Sequence, residues 1–130
     1  MPKVPVISIV DDDESVREAT KGLVRSLGYV AATFASGEEF LNSDRVNDTS
    51  CLITDVQMPG LDGLELQSRL TTMGRHVPII FVTAFPQERI RARALKAGAF
   101  GFLSKPFSDA SLIACLDRAL AEDDSEGVER

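Results

Sequence analysis

The chain has 130 residues and a mass of 14.1 kDa, which is the size of one ordinary domain. Its residues are 44% hydrophobic and 26% charged, a balance that is typical of globular proteins and excludes a disordered chain. The formal charge of −6 disfavours nonspecific binding to nucleic acid, and no apolar run is long enough to predict a membrane span.

Apolar runs alternate with helical patterns along the chain. Strands are predicted at residues 4–10, 29–34, 51–54, 78–82 and 99–103. Apolar residues at helical spacing follow each strand in turn: Val16, Ala19, Leu23, Val24 and Leu27; Phe40 and Leu41; Leu66, Leu70 and Met73; Ile90, Ala94 and Ala97; Leu112, Cys115, Leu116 and Ala119. Five strand–helix units predict an α/β fold, in which helices cover both faces of a doubly wound, five-stranded parallel sheet.

The predicted helices have recognisable ends. Gly28 follows the first helix as a terminating residue, and Ser36 is placed to cap the short second helix. Either Ser108 or Asp109 caps the last helix. The final ten residues contain five acids and one arginine, so residues 122–130 are interpreted as an acidic tail or the start of a linker.

Four predicted strands end in a charged or hydroxyl residue. Asp11 and Asp12 follow the first strand, Asp55 the third, Thr83 the fourth and Lys105 the fifth. Ligands of open α/β sheets bind beyond the carboxyl ends of the strands, so these groups are expected to meet at one edge. Carboxylates about 4 Å apart repel by roughly 4 kcal/mol per pair at an effective dielectric of 20, which a hard cation such as Mg²⁺ would relieve.

This set of groups fits phosphoryl transfer, where catalysis consists mostly of positioning and charge neutralisation. The carboxylate of Asp55 is the candidate nucleophile, because an aspartate can form an acyl phosphate. Thr83 would supply a hydroxyl donor and Lys105 a mobile positive charge.

Four segments resemble the receiver domain of two-component response regulators. They are Val-Asp-Asp at 10–12, Asp-Val-Gln-Met-Pro-Gly at 55–60, Thr-Ala at 83–84 and Lys-Pro-Phe at 105–107. The resemblance extends over about residues 4–120. It implies a flavodoxin-like (βα)5 fold with strand order 2-1-3-4-5, and a receiver domain over residues 1–121.

The resemblance also implies a role for each matching residue. Asp55 is the expected phospho-acceptor, and Thr83 and Lys105 would contact the phosphoryl oxygens. The expected Mg²⁺ ligands are Asp11, Asp12, Asp55 and the backbone carbonyl of Gln57. Phe102 matches an aromatic switch residue, Gln57 and Phe85 occupy positions that influence phosphate lifetime, and the Lys105–Pro106 bond is expected to be cis.

The function implied is a switch rather than a turnover enzyme, because the domain would catalyse only its own phosphorylation and dephosphorylation. A sensor histidine kinase would donate the phosphoryl group from its own phosphohistidine, and His76 is interpreted as an exposed loop residue. Phosphorylation would repack the face formed by the fourth helix, fifth strand and fifth helix, controlling an output domain, a partner or a homodimer. The domain itself would bind neither DNA nor a membrane.

Several alternatives stay open. A flavin or nucleotide binder shares this fold class but needs a phosphate-cradling loop after the first strand, where this chain has three aspartates. A degenerate receiver would mediate protein contacts alone. Asp13 and Asp62 suit helix capping. The basic residues of the fourth helix form either a solvated face or a docking surface for an acidic partner or a second receiver: Arg89, Arg91, Arg93 and Lys96.

The two cysteines, Cys51 and Cys115, have neither metal-binding nor redox spacing. Cys115 lies on the apolar stripe of the last helix, and Cys51 starts the third strand, so both are interpreted as small core residues. Reduced thiols are typical of a cytoplasmic protein, which is the expected localisation.

Overall fold

A computed structural model describes the backbone of residues 4–129 and the side chains of residues 4–121. The strands are β1 (Val6–Val10), β2 (Val30–Phe34), β3 (Cys51–Asp55), β4 (Ile79–Thr83) and β5 (Gly101–Ser104). They form one parallel sheet in the order β2-β1-β3-β4-β5. The predicted fold class and strand order are therefore confirmed.

Helices connect the strands and cover both faces of the sheet. They are α1 (Glu14–Ser26), α2 (Gly37–Leu41), α3 (Gly63–Thr72), α4 (Glu88–Lys96) and α5 (Asp109–Glu129), with a 3-10 helix at Asp44–Asn47 that the sequence did not predict. The backbone of α5 continues into the predicted acidic tail, whose side chains lie outside the described residues, and the domain boundary stays a prediction. Within the described chain, no helix combines the length and apolar character needed to cross a bilayer.

Side-chain caps explain where the helices begin. Asp13 accepts hydrogen bonds from the backbone N–H groups of Ser15 and Val16 at 2.9 and 3.3 Å, which confirms its capping role. Asp62 and Glu65 form a reciprocal capping box at the start of α3. Other caps behave as predicted: Ser36 Oγ accepts from Glu39 N, Ser108 Oγ accepts from Ser111 N, and Gly28 ends α1 with a φ of 92°.

The core lies in two layers, one on each face of the sheet. The layer beneath α2, α3 and α4 includes Phe40, Leu66, Leu70 and Phe81, and the layer beneath α1 and α5 includes Ile7, Ile53, Leu112 and Leu116. All residues of β3 and β4 are buried, as expected for central strands that are covered on both faces. Both cysteines are buried in the second layer, as predicted.

Three residues of the predicted helical stripes are exposed: Ala19 within α1, and two residues at helix ends. Met73 is 50% exposed, and Ala97 is also exposed. Each is the C-terminal cap residue of its helix, α3 or α4 respectively. The periodicity predicted an inward position, but the chain leaves the helix at these residues, so that part of the prediction was wrong.

Candidate functional site

Four strands deliver polar side chains to one edge of the sheet, as the sequence predicted. Asp11 follows β1 directly, Asp55 is the last residue of β3, Thr83 the last of β4, and Lys105 follows β5. The backbone N–H of Lys105 donates to the Thr83 carbonyl at 2.8 Å, which fixes the loop after β5 to the end of β4. The Lys105–Pro106 peptide bond is cis, as the resemblance implied.

Lys105 forms ion pairs with two buried aspartates. Its Nζ lies 2.9 Å from Asp11 Oδ2 and 3.1 Å from Asp55 Oδ2. The contact with Asp55 is also a hydrogen bond, whereas the contact with Asp11 is close in distance but lacks hydrogen-bond alignment. The Lys105 side chain is only 14% exposed, so the predicted convergence of these three residues is confirmed by direct contact.

Burial and charge act on this group in opposite directions. Burial raises the pKa of the Asp55 carboxyl above its ordinary value; the bond to Lys105 opposes that rise, and the Asp11 charge adds to it. Burial lowers the pKa of Lys105, but its close contacts with the charged Asp11 and Asp55 outweigh the effect of burial, so the pKa of Lys105 is raised overall. Lys105 is therefore a permanent cation at neutral pH.

Asp12 completes a cluster of three carboxylates. Oxygens of Asp11, Asp12 and Asp55 all lie within 4.8 Å of one another, with Asp12 exposed and the other two buried. The three carboxyl groups and the Lys105 ammonium carry a formal net charge of −2. Asp55 Oδ1 is buried without a hydrogen-bond partner among the described residues, an unfavourable state for an anionic oxygen. The charge deficit and the unpartnered oxygen both fit a divalent cation that prefers oxygen ligands.

Thr83 and Gln57 are joined by a side-chain hydrogen bond. Thr83 Oγ1 donates to Gln57 Oε1 at 2.6 Å and accepts from the Phe85 backbone N–H at 3.0 Å. Thr83 is fully buried, whereas Gln57 is exposed and Phe85 is 69% exposed. Sequence reasoning named Gln57 as a backbone metal ligand and as a position that influences phosphate lifetime, but it did not predict this bond.

Two further residues support the site and were not predicted. Arg17 of α1 donates to the Asp11 carbonyl oxygen at 2.7 Å, which ties that helix to the acidic loop. Gly63 lies so close to the end of β3 that a Cβ there would be 2.4 Å from the Asp55 carbonyl oxygen. The sequence offered two signals for these residues. Arg17 lies about one helical turn after the acidic loop, and Gly63 stands at the start of a helix.

Phe102 lies on β5 opposite Phe81 of β4 and is partly buried against the first core layer. The two ring centroids are 6.3 Å apart.

An apolar cleft of about 350 Å³ adjoins Lys105 on the other side of the site, between α1 and the start of α5. Val16, Ala19, Leu23 and Phe107 are among the residues that line it.

The basic residues of α4 and the histidine in the loop before β4 are exposed to solvent, as the sequence predicted. His76 is exposed, and the four basic residues of α4 are all exposed: Arg89, Arg91, Arg93 and Lys96. Among the described residues, Arg91 is the one member of this set that forms an ion pair, with Glu88 at 3.5 Å. Exposure alone leaves both interpretations of this basic face open.

The sequence profile described as the response regulator receiver domain matches residues 7–117. Nodulation protein W of Bradyrhizobium diazoefficiens is 41% identical over 118 residues, which is 91% of this chain and 52% of that protein. Response regulator protein TodT of Pseudomonas putida is 40% identical over 118 residues, again 91% of this chain and 52% of the relative.

A solved structure of the response regulator StyR superposes with a TM-score of 0.89 at 38% identity, covering 98% of this chain and 65% of that one. The chain thus spans about half the length of the curated relatives named above. The profile match, these relatives and the shared fold agree with one another, and the chain belongs to the response regulator receiver domain family.

Proposed function

We propose that this chain is a phosphorylation-dependent switch in which Asp55 accepts a phosphoryl group from the phosphohistidine of a sensor histidine kinase. The observation that carries the proposal is the state of the Asp55 carboxylate. One of its oxygens is paired with Lys105 at 3.1 Å, while the other is buried and has no hydrogen-bond partner among the described residues. A held but incompletely satisfied carboxylate at the edge of the sheet is suited to act as a nucleophile.

The transfer replaces one bond to phosphorus by another. A carboxylate oxygen of Asp55 attacks the phosphorus, the bond from phosphorus to the donor nitrogen or oxygen breaks, and the donor leaves with that electron pair. Lys105 neutralises part of the negative charge that gathers on the phosphoryl oxygens. Water attack on the resulting acyl phosphate restores the carboxylate and releases inorganic phosphate. The domain would thus catalyse only its own phosphorylation and dephosphorylation.

Mg²⁺ is the proposed cofactor. Asp11, Asp12, Asp55 and the Gln57 carbonyl would hold it, supported by the carboxylate cluster and its net charge of −2. When bound, Mg²⁺ supplies positive charge to the phosphoryl oxygens. Oxygen-only ligands favour such a hard cation over a transition metal.

Thr83 and Phe102 are the proposed switch residues. In this proposal Thr83 turns toward the phosphoryl group and Phe102 moves inward, which repacks the face formed by α4, β5 and α5. The contact of Phe102 with Phe81 supports this, because a partly buried ring at a strand edge has room for a second packing arrangement. The repacked face would act on an output domain, a partner protein or a second copy of the chain.

The whole regulator is proposed from its relatives. Because they are about twice as long, an output domain is proposed for the full protein, and any DNA binding would belong to that domain. The net charge of −6 supports a receiver that does not itself bind nucleic acid. The apolar cleft beside Lys105 is proposed to receive the kinase surface that presents the phosphohistidine, and a cytoplasmic location is proposed.

Labelling with acetyl phosphate tests the acceptor and the metal together. Intact mass should show one phosphoryl group in the presence of Mg²⁺ and little in EDTA. Asp55→Asn should abolish labelling, whereas the matched control Asp62→Asn, at the N-terminal cap of α3 and outside the carboxylate cluster, should label as the wild type does. Full labelling of the Asp55→Asn variant would contradict the assignment of the acceptor.

A further inference from the structure

The hydroxyl of Thr83 is fully occupied in this structure. It donates to Gln57 Oε1 at 2.6 Å and accepts from the backbone N–H of Phe85 at 3.0 Å. A threonine hydroxyl carries a single proton. While that proton is held by Gln57, Thr83 cannot donate a hydrogen bond to a phosphoryl oxygen on Asp55.

We propose that the Gln57 side chain is a positioning residue that holds Thr83 in its resting state and opposes the switch. This inference rests on the proposed function, because it describes how the same site is restrained before phosphorylation. Gln57 is two residues beyond Asp55, on the loop that follows β3. Its carboxamide therefore bridges the acceptor loop and the end of β4, where Thr83 lies.

The location of the bond makes it breakable without unfolding. Thr83 is fully buried, but Gln57 is exposed, so its carboxamide can exchange Thr83 for water. A phosphoryl oxygen is a charged acceptor and forms a stronger hydrogen bond than a neutral amide does. Phosphorylation would therefore draw the Thr83 proton from Gln57.

Gln57→Met removes the amide while keeping a side chain of similar length and leaving the backbone carbonyl in place. Gln87→Met is the matched control. Gln87 is exposed at the end of the loop between β4 and α4, and its side chain makes no capping hydrogen bond to α4. Gln57→Ala serves as a second variant. The rate of acetyl phosphate labelling should rise about fivefold in Gln57→Met, the factor expected from losing one neutral hydrogen bond, and stay unchanged in Gln87→Met.

The amide proton of Phe85 gives a readout that a merely structural role would not move. Since this N–H donates to Thr83 Oγ1, its exchange with solvent should accelerate when Gln57→Met releases the hydroxyl. In a Thr83→Val background, Gln57→Met should have no further effect on labelling or exchange, because the hydroxyl that it restrains is gone.

The outcomes separate this inference from the function on which it rests. If the wild type is not labelled at Asp55, the proposed function fails. If the wild type is labelled but Gln57→Met and Gln57→Ala match it in labelling rate and in Phe85 exchange, or label more slowly, then the positioning role of Gln57 is overturned. An equal effect of Gln57→Met with and without the Thr83 hydroxyl would also overturn it.

Discussion

Gly63 provides a sharp test of how α3 is packed against the acceptor strand. A Cβ at this position would lie 2.4 Å from the Asp55 carbonyl oxygen, 3.0 Å from Val56 Cα and 3.1 Å from a ring carbon of Phe81. The two nearest atoms belong to the backbone, so no change of rotamer can relieve the contact. The Gly63 N–H also donates to the Val56 carbonyl at 2.9 Å, which resists separation of the helix from the strand.

We therefore expect Gly63→Ala to lower the free energy of unfolding by about 1–3 kcal/mol, the usual cost of overpacking. Gly22 is the matched control, because it lies inside α1 and a Cβ there would meet nothing within 4 Å. Gly22→Ala should raise the free energy of unfolding by about 0.5–1 kcal/mol, the difference in helix propensity. The same chemical change is thus expected to have opposite signs at the two sites.

Urea denaturation measures both effects as shifts of the midpoint at constant slope. Gly63→Ala should also slow acetyl phosphate labelling, since the clash displaces Asp55 itself, whereas Gly22→Ala should leave the labelling rate unchanged. If Gly63→Ala proved as stable as the wild type and labelled at the same rate, the close packing of α3 on β3 would be refuted.

Three further predictions concern the charged cluster. Lys105→Met should lower the free energy of unfolding in EDTA by about 3 kcal/mol, because Asp11 and Asp55 lose their buried counter-charge; an unchanged urea midpoint would contradict this. Mg²⁺ at one hundred times its dissociation constant should raise the free energy of unfolding by about 2.7 kcal/mol in the wild type and by less in Asp55→Asn, as measured by urea titration with and without EDTA. In EDTA, the folded Asp55 carboxyl holds its proton more tightly than the unfolded one, so ionisation removes stability. The free energy of unfolding of the wild type minus that of Asp55→Asn should therefore fall as the pH rises from below 3.8 through the raised pKa of Asp55. If this difference in unfolding free energy increased with pH instead, the pKa of Asp55 would be shifted in the opposite direction.

The fold and the contacts around Lys105 could be predicted because each rests on a pattern of strand ends. Parallel strands bring their carboxyl ends to one edge, so Asp11, Asp55 and Lys105 had to meet once the strand–helix alternation was recognised. Periodicity failed at Met73 and Ala97, since it describes the repeat of a helix but does not mark the residue at which the chain leaves the helix. The 3-10 helix before β3 has too short a pattern to be recognised in advance.

The contacts that sequence reasoning missed depend on side-chain direction rather than on residue type. Gln57 and Thr83 are 26 positions apart, and nothing in the sequence indicates that the amide of one meets the hydroxyl of the other. The same is true of Arg17, whose target is a backbone carbonyl and therefore leaves no signature at the partner position. Such contacts follow from the distance between a loop and a neighbouring strand or helix, which only the folded chain defines.

The strength of these contacts limits what Thr83 alone can do in the proposed switch. A hydrogen bond to a charged acceptor contributes about 1.5–3 kcal/mol and one to a neutral acceptor about 0.5–1.5 kcal/mol, so exchanging Gln57 for a phosphoryl oxygen favours the switched state by about 1 kcal/mol. Moving a population from 1:99 to 99:1 requires about 5.5 kcal/mol. The remainder has to come from other differences between the two states, and Phe102, which is only partly buried against Phe81, can still gain apolar burial. Full burial of a phenylalanine contributes at most about 3 kcal/mol, so even both residues together fall short of inverting the equilibrium. We therefore expect phosphorylation to shift the population of the isolated domain only in part, with binding of a partner to the repacked face completing the change.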